Sequence, residues 1–371
     1  MMKVFSKIAV TIGSVALVGS AFQSQALAED HGFNDTDGHW AEEEILYLTD
    51  EGYLTGYTGG DFKPDGSINR AEASAVLFRQ QGLSEVDADF DDVDADFWAQ
   101  GKIGALQSEE ILSGYGDGTF RPDNEITRAE VAILISNTFD FENDGDSGND
   151  YSDVSESDQA YEGINELKNN HIMRGYGDGT FRPDESITRA EFSVVMARTL
   201  NEDFREELIV QAKTDYLLDA LMNEDFETIA DHAHPEEGVR FSPYVYVQAD
   251  DQVFHSDDLD NWLADDTVYH WGAEDGTGDP IEKTTTEYYE RFLVNHNYQS
   301  WDERVYNEDM NRGNTENNIQ TFFPDASFTE YYVDGDEEEY AGMDWGSNTL
   351  VMQKYDGDWY LIAIVNDEWT I

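Results

Sequence analysis

The 371-residue chain carries 81 Asp and Glu against 21 Lys and Arg, a formal net charge of −60, and contains no Cys. Such a surface repels polyanions and excludes an ordinary nucleic-acid binder, which needs a basic face to neutralise phosphates. Hydrophobic residues at 39% and aromatics at 13% are ample for packed cores, so a disordered acidic chain is excluded as well.

Residues 1–28 read as a signal peptide. Lys3 and Lys7 precede an apolar run from Ile8 to Phe22, and Ala26-Leu-Ala28 offers small residues for cleavage. The run is shorter than the ~20 residues that span a bilayer, and no later segment is apolar enough to do so. The mature chain is therefore expected to be exported without a transmembrane anchor. Lacking Cys, it has no thiol chemistry or thiolate metal sites, and no cofactor or metal is implied. Acidity spread along the whole length reads as halophilic adaptation of the solvated surface to a salty or alkaline exterior.

The next elements repeat. Gly114-Tyr-Gly-Asp-Gly-Thr-Phe-Arg-Pro-Asp-Asn-Glu-Ile-Thr-Arg-Ala-Glu130 returns at Gly175 to Glu191 with two substitutions, and a weaker copy runs from Gly56 to Glu72. Upstream of each lies a helical-period apolar pair, Ile45 and Leu48, Ile103 and Leu106, Ile164 and Leu167, entered by Phe33-Asn-Asp, Phe90-Asp-Asp or Tyr151-Ser-Asp. One repeat thus reads as helix, Gly-rich loop, helix. The first helix is expected to end near Gly56, Gly114 or Gly175 with the glycine in the left-handed cap conformation. Thr127-Arg-Ala-Glu130 and Thr188-Arg-Ala-Glu191 form capping boxes that start the second helix, and Asn69 is a competent cap in the first copy. Gly114-Tyr-Gly116-Asp-Gly118 follows a helix and lacks the Lys-Ser/Thr ending of a phosphate loop, so it is a turn. Glu142 to Asp150 misses the spaced ligands of a calcium loop and reads as an acidic linker.

The Thr-Arg-Ala-Glu motif after a Gly-rich, Phe-containing loop, present in tandem from residue 33 to about 200, resembles the S-layer homology (SLH) domain. The resemblance implies a compact pseudo-threefold assembly with ligand grooves between neighbours. It also implies non-covalent attachment to an anionic, commonly pyruvylated, secondary cell-wall polymer.

The residues carry their own case for an anion. Arg70, Arg128 and Arg189 occupy the first turn of a helix, beside free backbone N–H groups and the positive end of the helix dipole. Lys63, Arg121 and Arg182 lie seven residues upstream. Arginine suits a carboxylate because its planar fork donates two parallel hydrogen bonds. The motif arginines are taken as the ligand-facing set. Pairing with surplus acids such as Asp65, Asp123 and Asp184 is the structural alternative. Trp40 and Trp98 occupy equivalent positions and suit stacking on a sugar, with core packing as their alternative role. Gln159 replaces Trp in the third copy, so the third groove is expected to bind less well than the first two.

Beyond Phe204 the repeat stops. Arg205 to Ala233 reads as one or two helices interrupted near Asn223. Strands are expected around Val239–Val247, Trp301–Tyr306, Phe328–Val333, Leu350–Tyr355 and Trp359–Val365, with helices at Thr284–Val294 and near Leu259. Asp356-Gly357 is a hairpin turn. This describes an α+β domain with a curved antiparallel sheet, similar to the cone of the nuclear-transport-factor-2-like (NTF2-like) fold. Gly238–Tyr244, His270-Trp-Gly272, Asp275–Ile281 and Trp369-Thr-Ile371 resemble a domain of exported bacillus proteins with no assigned activity. Arg240, His270 and Asp275 are candidates to line a pocket in it. His232 and His234 share a face only in an extended segment, and no nucleophile elbow or His-Glu-x-x-His motif is present.

The expected order is signal peptide (1–28), SLH repeats (29–83 and 84–141), acidic linker (142–150), third repeat (151–203) and C-terminal α+β domain (204–371). The sequence favours a wall-anchored surface protein displaying a non-catalytic binding or accessory domain. An SLH-anchored polysaccharide hydrolase is the rival reading.

Overall fold

The computed structural model describes residues 33–141, 151–310, 312–313, 315–335 and 343–369. The expected signal peptide and acidic linker lie outside them. The chain divides into two compact units, residues 1–205 and 206–371. Among the described residues no helix is long and apolar enough to cross a membrane.

The first unit is built from three helix pairs: α1 (Glu42–Asp50) and α2 (Arg70–Gln80), α3 (Gln100–Ser108) and α4 (Arg128–Thr138), α5 (Tyr161–Asn169) and α6 (Arg189–Leu200). Asn69, Thr127 and Thr188 cap α2, α4 and α6, each in a complete capping box with the Glu three residues on. The second helix of each repeat packs on the first helix of the next, α2 on α3 and α4 on α5, and α6 closes the circle on α1.

At the centre, three fully buried isoleucines form a ring. The Ile68 N–H donates to the Ile187 carbonyl at 3.3 Å, Ile187 to Ile126 at 3.1 Å, and Ile126 to Ile68 at 3.1 Å. The N–H and carbonyl of each isoleucine, which would otherwise be unpaired in the core, are thereby satisfied by the other repeats.

One local expectation is corrected. The left-handed residue after each first helix is Gly52, Glu110 or His171, not Gly56, Gly114 or Gly175. Those three glycines are required by space instead. A Cβ at Gly114 would run into the Phe90 ring and the Thr119 carbonyl, and one at Gly175 into Tyr151 and the Thr180 carbonyl. The aromatic entering each repeat is thereby laid over its own loop.

The second unit opens with α7 (Glu206–Met222) and α8 (Phe226–Asp231), separated by a turn in which Glu224 takes φ +60°. Strands β1 (Val239–Ser242) and β2 (Gln252–Phe254) follow. Next come α9 (Ser256–Leu259), the hairpin β3 (Tyr269–Ala273) and β4 (Pro280–Lys283), and α10 (Thr285–Tyr288), which continues as a π-turn through Leu293. After β5 (Glu303–Tyr306) and α11 (Ile319–Phe322), the chain ends in the long strands β6 (Ala326–Val333), β7 (Gly346–Tyr355) and β8 (Asp358–Glu368). Asp356 and Gly357 both have positive φ, as the tight β7–β8 turn requires.

The six-stranded sheet runs β2-β1-β8-β7-β6-β5. It is mixed rather than wholly antiparallel, because β1 pairs parallel to β8 while the other neighbours are antiparallel. The long path from β1 to β8 passes through every intervening strand, so β1 meets β8 without a hairpin to set its direction. One sheet face is covered by aromatics including Phe241, Trp262, Trp271 and Tyr288, the last two stacked at 3.8 Å. The other carries Val351, Ala363, Val365 and Phe328 under α11.

Candidate functional site

Each motif helix begins against a loop of the following repeat, and this determines what its first turn can bind. The Arg70 and Ala71 N–H groups donate to the Asn124 and Pro122 carbonyls. Arg128 and Ala129 do the same to Glu185 and Pro183, and Arg189 and Ala190 to Gly66 and Pro64, all at 2.8–3.0 Å. The cap side chain takes the third N–H. The expectation of free N–H groups for an anion is therefore corrected: the repeats use them on one another.

The motif guanidiniums are likewise turned inward. Arg70, Arg128 and Arg189 are only 7%, 5% and 3% exposed. Their Nε groups donate to the carbonyls of Phe120, Phe181 and Phe62 at 2.8–2.9 Å. Arg70 Nη1 adds a 2.7 Å bond to Glu130, whereas Arg128 Nη2 and Arg189 Nη2 donate to the carbonyls of Arg174 and Thr55. The expectation of three open, outward-facing arginines does not describe this geometry. They are inter-repeat clamps, placed there because a buried guanidinium must find acceptors and the loop supplies them.

Around each clamp the loop builds a second layer. The Arg70 guanidinium lies 5.0 Å from the Tyr115 ring centre and the loop base Arg121 lies 3.9 Å from the same ring. Arg128 and Arg182 share Tyr176 at 4.9 and 3.9 Å, and Arg189 and Lys63 share Tyr57 at 4.7 and 4.6 Å. The Tyr115 hydroxyl donates to Glu130 at 2.6 Å and Tyr57 to Glu72 at 2.9 Å. Burial, then these bonds to carboxylates, raise both phenols above their ordinary range.

Asp35, Asp92 and Asp153 secure the loop bases. Each carboxylate accepts from two successive N–H groups, those of Phe62 and Lys63, Phe120 and Arg121, Phe181 and Arg182, at 2.7–2.8 Å. Lys63, Arg121 and Arg182 are held there at φ near +60°. For Asp35 and Asp153, burial works against ionisation, but the backbone donors outweigh it and the carboxyls lie below the usual range. Sequence reasoning missed these aspartates as anchors, although their recurrence two residues after each entry aromatic, Phe33, Phe90 and Tyr151, was visible.

The outward cations are the loop bases. Arg121 pairs with Asp117 at 2.9 Å and Arg182 with Asp178 at 3.1 Å. Hydrogen bonds from Thr119 and then Arg121 pull Asp117 down to about 2, so it remains ionised under all ordinary conditions. Lys63 has no ion-pair partner among the described residues. Trp40 and Trp98 are 64% and 51% exposed, which removes core packing as their role.

A cavity of about 110 Å³ is lined, among others, by Arg70 and Ser74 of the first repeat, Tyr115 and Glu130 of the second and Gln159 of the third. All three repeats contribute to it. By the threefold relation, Trp40 corresponds to Gln159 at the site of Arg128, and Trp98 at the site of Arg189. The position lacking Trp therefore belongs with Arg70 rather than Arg189.

In the second unit, Arg240, His270 and Asp275 do not line one pocket. Arg240 borders a cavity of about 270 Å³ that includes neither of the others. His270 is exposed on β3, where its carbonyl accepts from Gln252, and Asp275 sits in the exposed β3–β4 turn, its N–H near the Tyr244 hydroxyl. The reason is strand alternation: Val239 and Phe241 face the aromatic core, so Arg240 emerges on the opposite side of the sheet. His232 and His234 point their Nδ1 atoms at backbone groups, the Thr228 carbonyl and the Glu236 and Glu237 N–H groups.

These three loops and helix starts match the family model of the S-layer homology domain at residues 32–74, 89–132 and 150–193. The chain carries three S-layer homology domains and is a secreted, cell-wall-associated surface protein. It is similar to the surface-layer 125 kDa protein of Lysinibacillus sphaericus, 32% identical over 54% of this chain and 18% of that protein. It also resembles the cellulosome-anchoring protein of Acetivibrio thermocellus, 35% identical over 40% of this chain and 35% of that one. An endoglucanase of Bacillus sp. (strain KSM-635) is 28% identical over 43% of this chain and 18% of its own. The chain thus spans about a third or less of these relatives. Among solved structures it is similar to a chain described as a calcium/calmodulin dependent protein kinase II association domain from Xanthomonas campestris, with a TM-score of 0.22 and 15% identity over 46% of this chain and 89% of that one. At that score the likeness carries no argument.

Proposed function

We propose that the three SLH domains hold the protein on the wall by binding an anionic, pyruvylated secondary cell-wall polymer at the three inter-repeat sites. The observation that carries this reading is the recurrence, in a chain of net charge −60, of exposed indoles at Trp40 and Trp98 and of loop cations that reach solvent at Lys63, Arg121 and, in part, Arg182. Trp40 and Trp98 supply flat apolar surface for a sugar ring, and Lys63, Arg121 and Arg182 supply the charge for a carboxylate. The motif arginines set the groove's shape from beneath, with Arg70 also bordering the cavity.

The three sites are not equivalent in this reading. The site of Arg189 combines Trp98 with Lys63, which has no ion-pair partner among the described residues, and ranks first. That of Arg128 has Trp40 but a loop base paired to Asp178, and that of Arg70 has Gln159 and ranks last. The C-terminal unit is a displayed binding or accessory domain of the NTF2-like type. The endoglucanase relative, matched over 43% of this chain, fits the rival hydrolase reading, whereas the aromatic packing that fills the sheet's covered face favours the non-catalytic role.

The test is co-sedimentation of the full chain with purified cell walls before and after chemical removal of their secondary polymers. Binding is expected to disappear with the polymers. Retention on stripped walls would overturn the reading.

A further inference from the structure

The cavity beside Arg240 in the second unit carries a recognition pattern of its own. Its lining includes Arg240 on β1, Gln353 on β7, Ile362 on β8, Phe322 of α11, and the acids Glu237 and Asp325. Arg240 Nη1 donates to the carbonyls of Gln248, Ala249 and Asp251 at 3.0–3.3 Å, which fixes the guanidinium against the turn before β2. Its Cζ lies 5.3 Å from the Phe322 ring centre.

With Nη1 consumed, the edge formed by Nε and Nη2 has no acceptor among the described residues. That edge is one of the two by which an arginine grips a carboxylate with parallel hydrogen bonds. The carboxylates of Glu237 and Asp325 and the side-chain amide of Gln353 also make no hydrogen bond or ion pair among the described residues. A fixed cation, two solvent-exposed carboxylates and an amide thus border one mainly polar hollow, in which Phe322 and Ile362 supply apolar surface. An anion alone would meet the repulsion of both acids, and a cation alone that of Arg240.

We propose that this cavity binds a small zwitterion of the α-amino-acid class bearing an apolar side chain. Its carboxylate would sit on the Nε–Nη2 edge of Arg240, its ammonium against Glu237 and Asp325, and its side chain against Phe322 and Ile362. The volume of about 270 Å³ lies just under the usual small-ligand range of roughly 300–1,000 Å³, which suits a single amino acid. The inference is independent of wall binding, since no residue of the first unit takes part.

The experiment is calorimetric titration of the full chain with L-phenylalanine, phenylacetate and phenethylamine, the last two each lacking one charge. Phenylalanine is expected to bind at least tenfold more tightly than either analogue. The double variant E237Q/D325N should weaken phenylalanine by tenfold or more while leaving phenylacetate unchanged or tighter. These acids are chosen because Arg240 also holds its turn and its replacement risks the fold. Equal affinity for all three probes, no saturable binding of phenylalanine up to about 10 mM, or an unaltered affinity in the double variant would overturn the proposal.

Discussion

Arg70 and Glu130 stand 60 positions apart in sequence and 2.7 Å apart in space, each at the start of the helix that its own repeat contributes to the core. The pair joins two repeats at a place that a single-repeat reading assigns to ligand. Replacing Arg70 with Ala leaves the Phe120 carbonyl without its side-chain donor and Glu130 without its cation, in a setting where both are largely buried. The expected result is a loss of about 3 kcal/mol in the stability of the first unit, read as a lower calorimetric midpoint. Arg70→Lys should recover part of it, because a lysine keeps the charge but not the two-directional fork. A stable Arg70→Ala protein that had lost only wall binding would show the arginine to be a ligand group after all.

The ranking of the three sites predicts a gain as well as a loss. Gln159→Trp restores the indole missing beside Arg70 and is expected to raise wall affinity severalfold. Lys63→Gln removes the loop cation without an acid partner and should weaken binding more than Arg121→Gln, by about tenfold against threefold, or about 1.4 against 0.7 kcal/mol. Co-sedimentation isotherms with the same wall preparation measure all three.

The second unit carries a pH dependence of its own. Burial first, and then the charge of Glu330, push the Asp367 carboxyl up to about 7. The folded state holds this proton up to that pH, whereas an unfolded aspartate releases it near its ordinary value of 3.8. Between those values the folded chain binds more protons, so its stability falls as pH rises through the window and does not recover above it. Asp367→Asn keeps an acceptor for the Glu368 N–H and abolishes the loss. It is expected to stabilise the unit by about 1–3 kcal/mol at pH 8 and to have little effect below pH 4, as followed by urea titration at both pH values.

The repeats, the capping boxes and the order of helices were legible because each is written in local spacing. Thr127 and Glu130 need only be three apart to meet, and Ile164 and Leu167 to share a face. The long strands β6, β7 and β8 were legible for the same reason, and the three-residue β2 and the irregular β3–β4 hairpin were not, being too short to show a period. What a helix start faces is set by another repeat, so the occupied N–H groups of Arg70 and the inward turn of its guanidinium carried no signal within the motif. The same holds for Gly114, whose need for space comes from Phe90, 24 positions earlier, rather than from its own dihedral angles. Arg240 was found by residue type, but its separation from His270 and Asp275 depends on which sheet face each strand position presents.

The isoleucine ring makes the first unit a closed circuit with no terminal member. In an open stack of repeats, copies can be added or lost at the ends and the remainder persists. Here, deleting any one copy strips partners from both survivors at once, so the count of three is imposed by closure. A cyclic rearrangement of the order in which the chain visits the copies would leave every interface intact, whereas a two-copy truncation would have no complete interface circuit in which to fold.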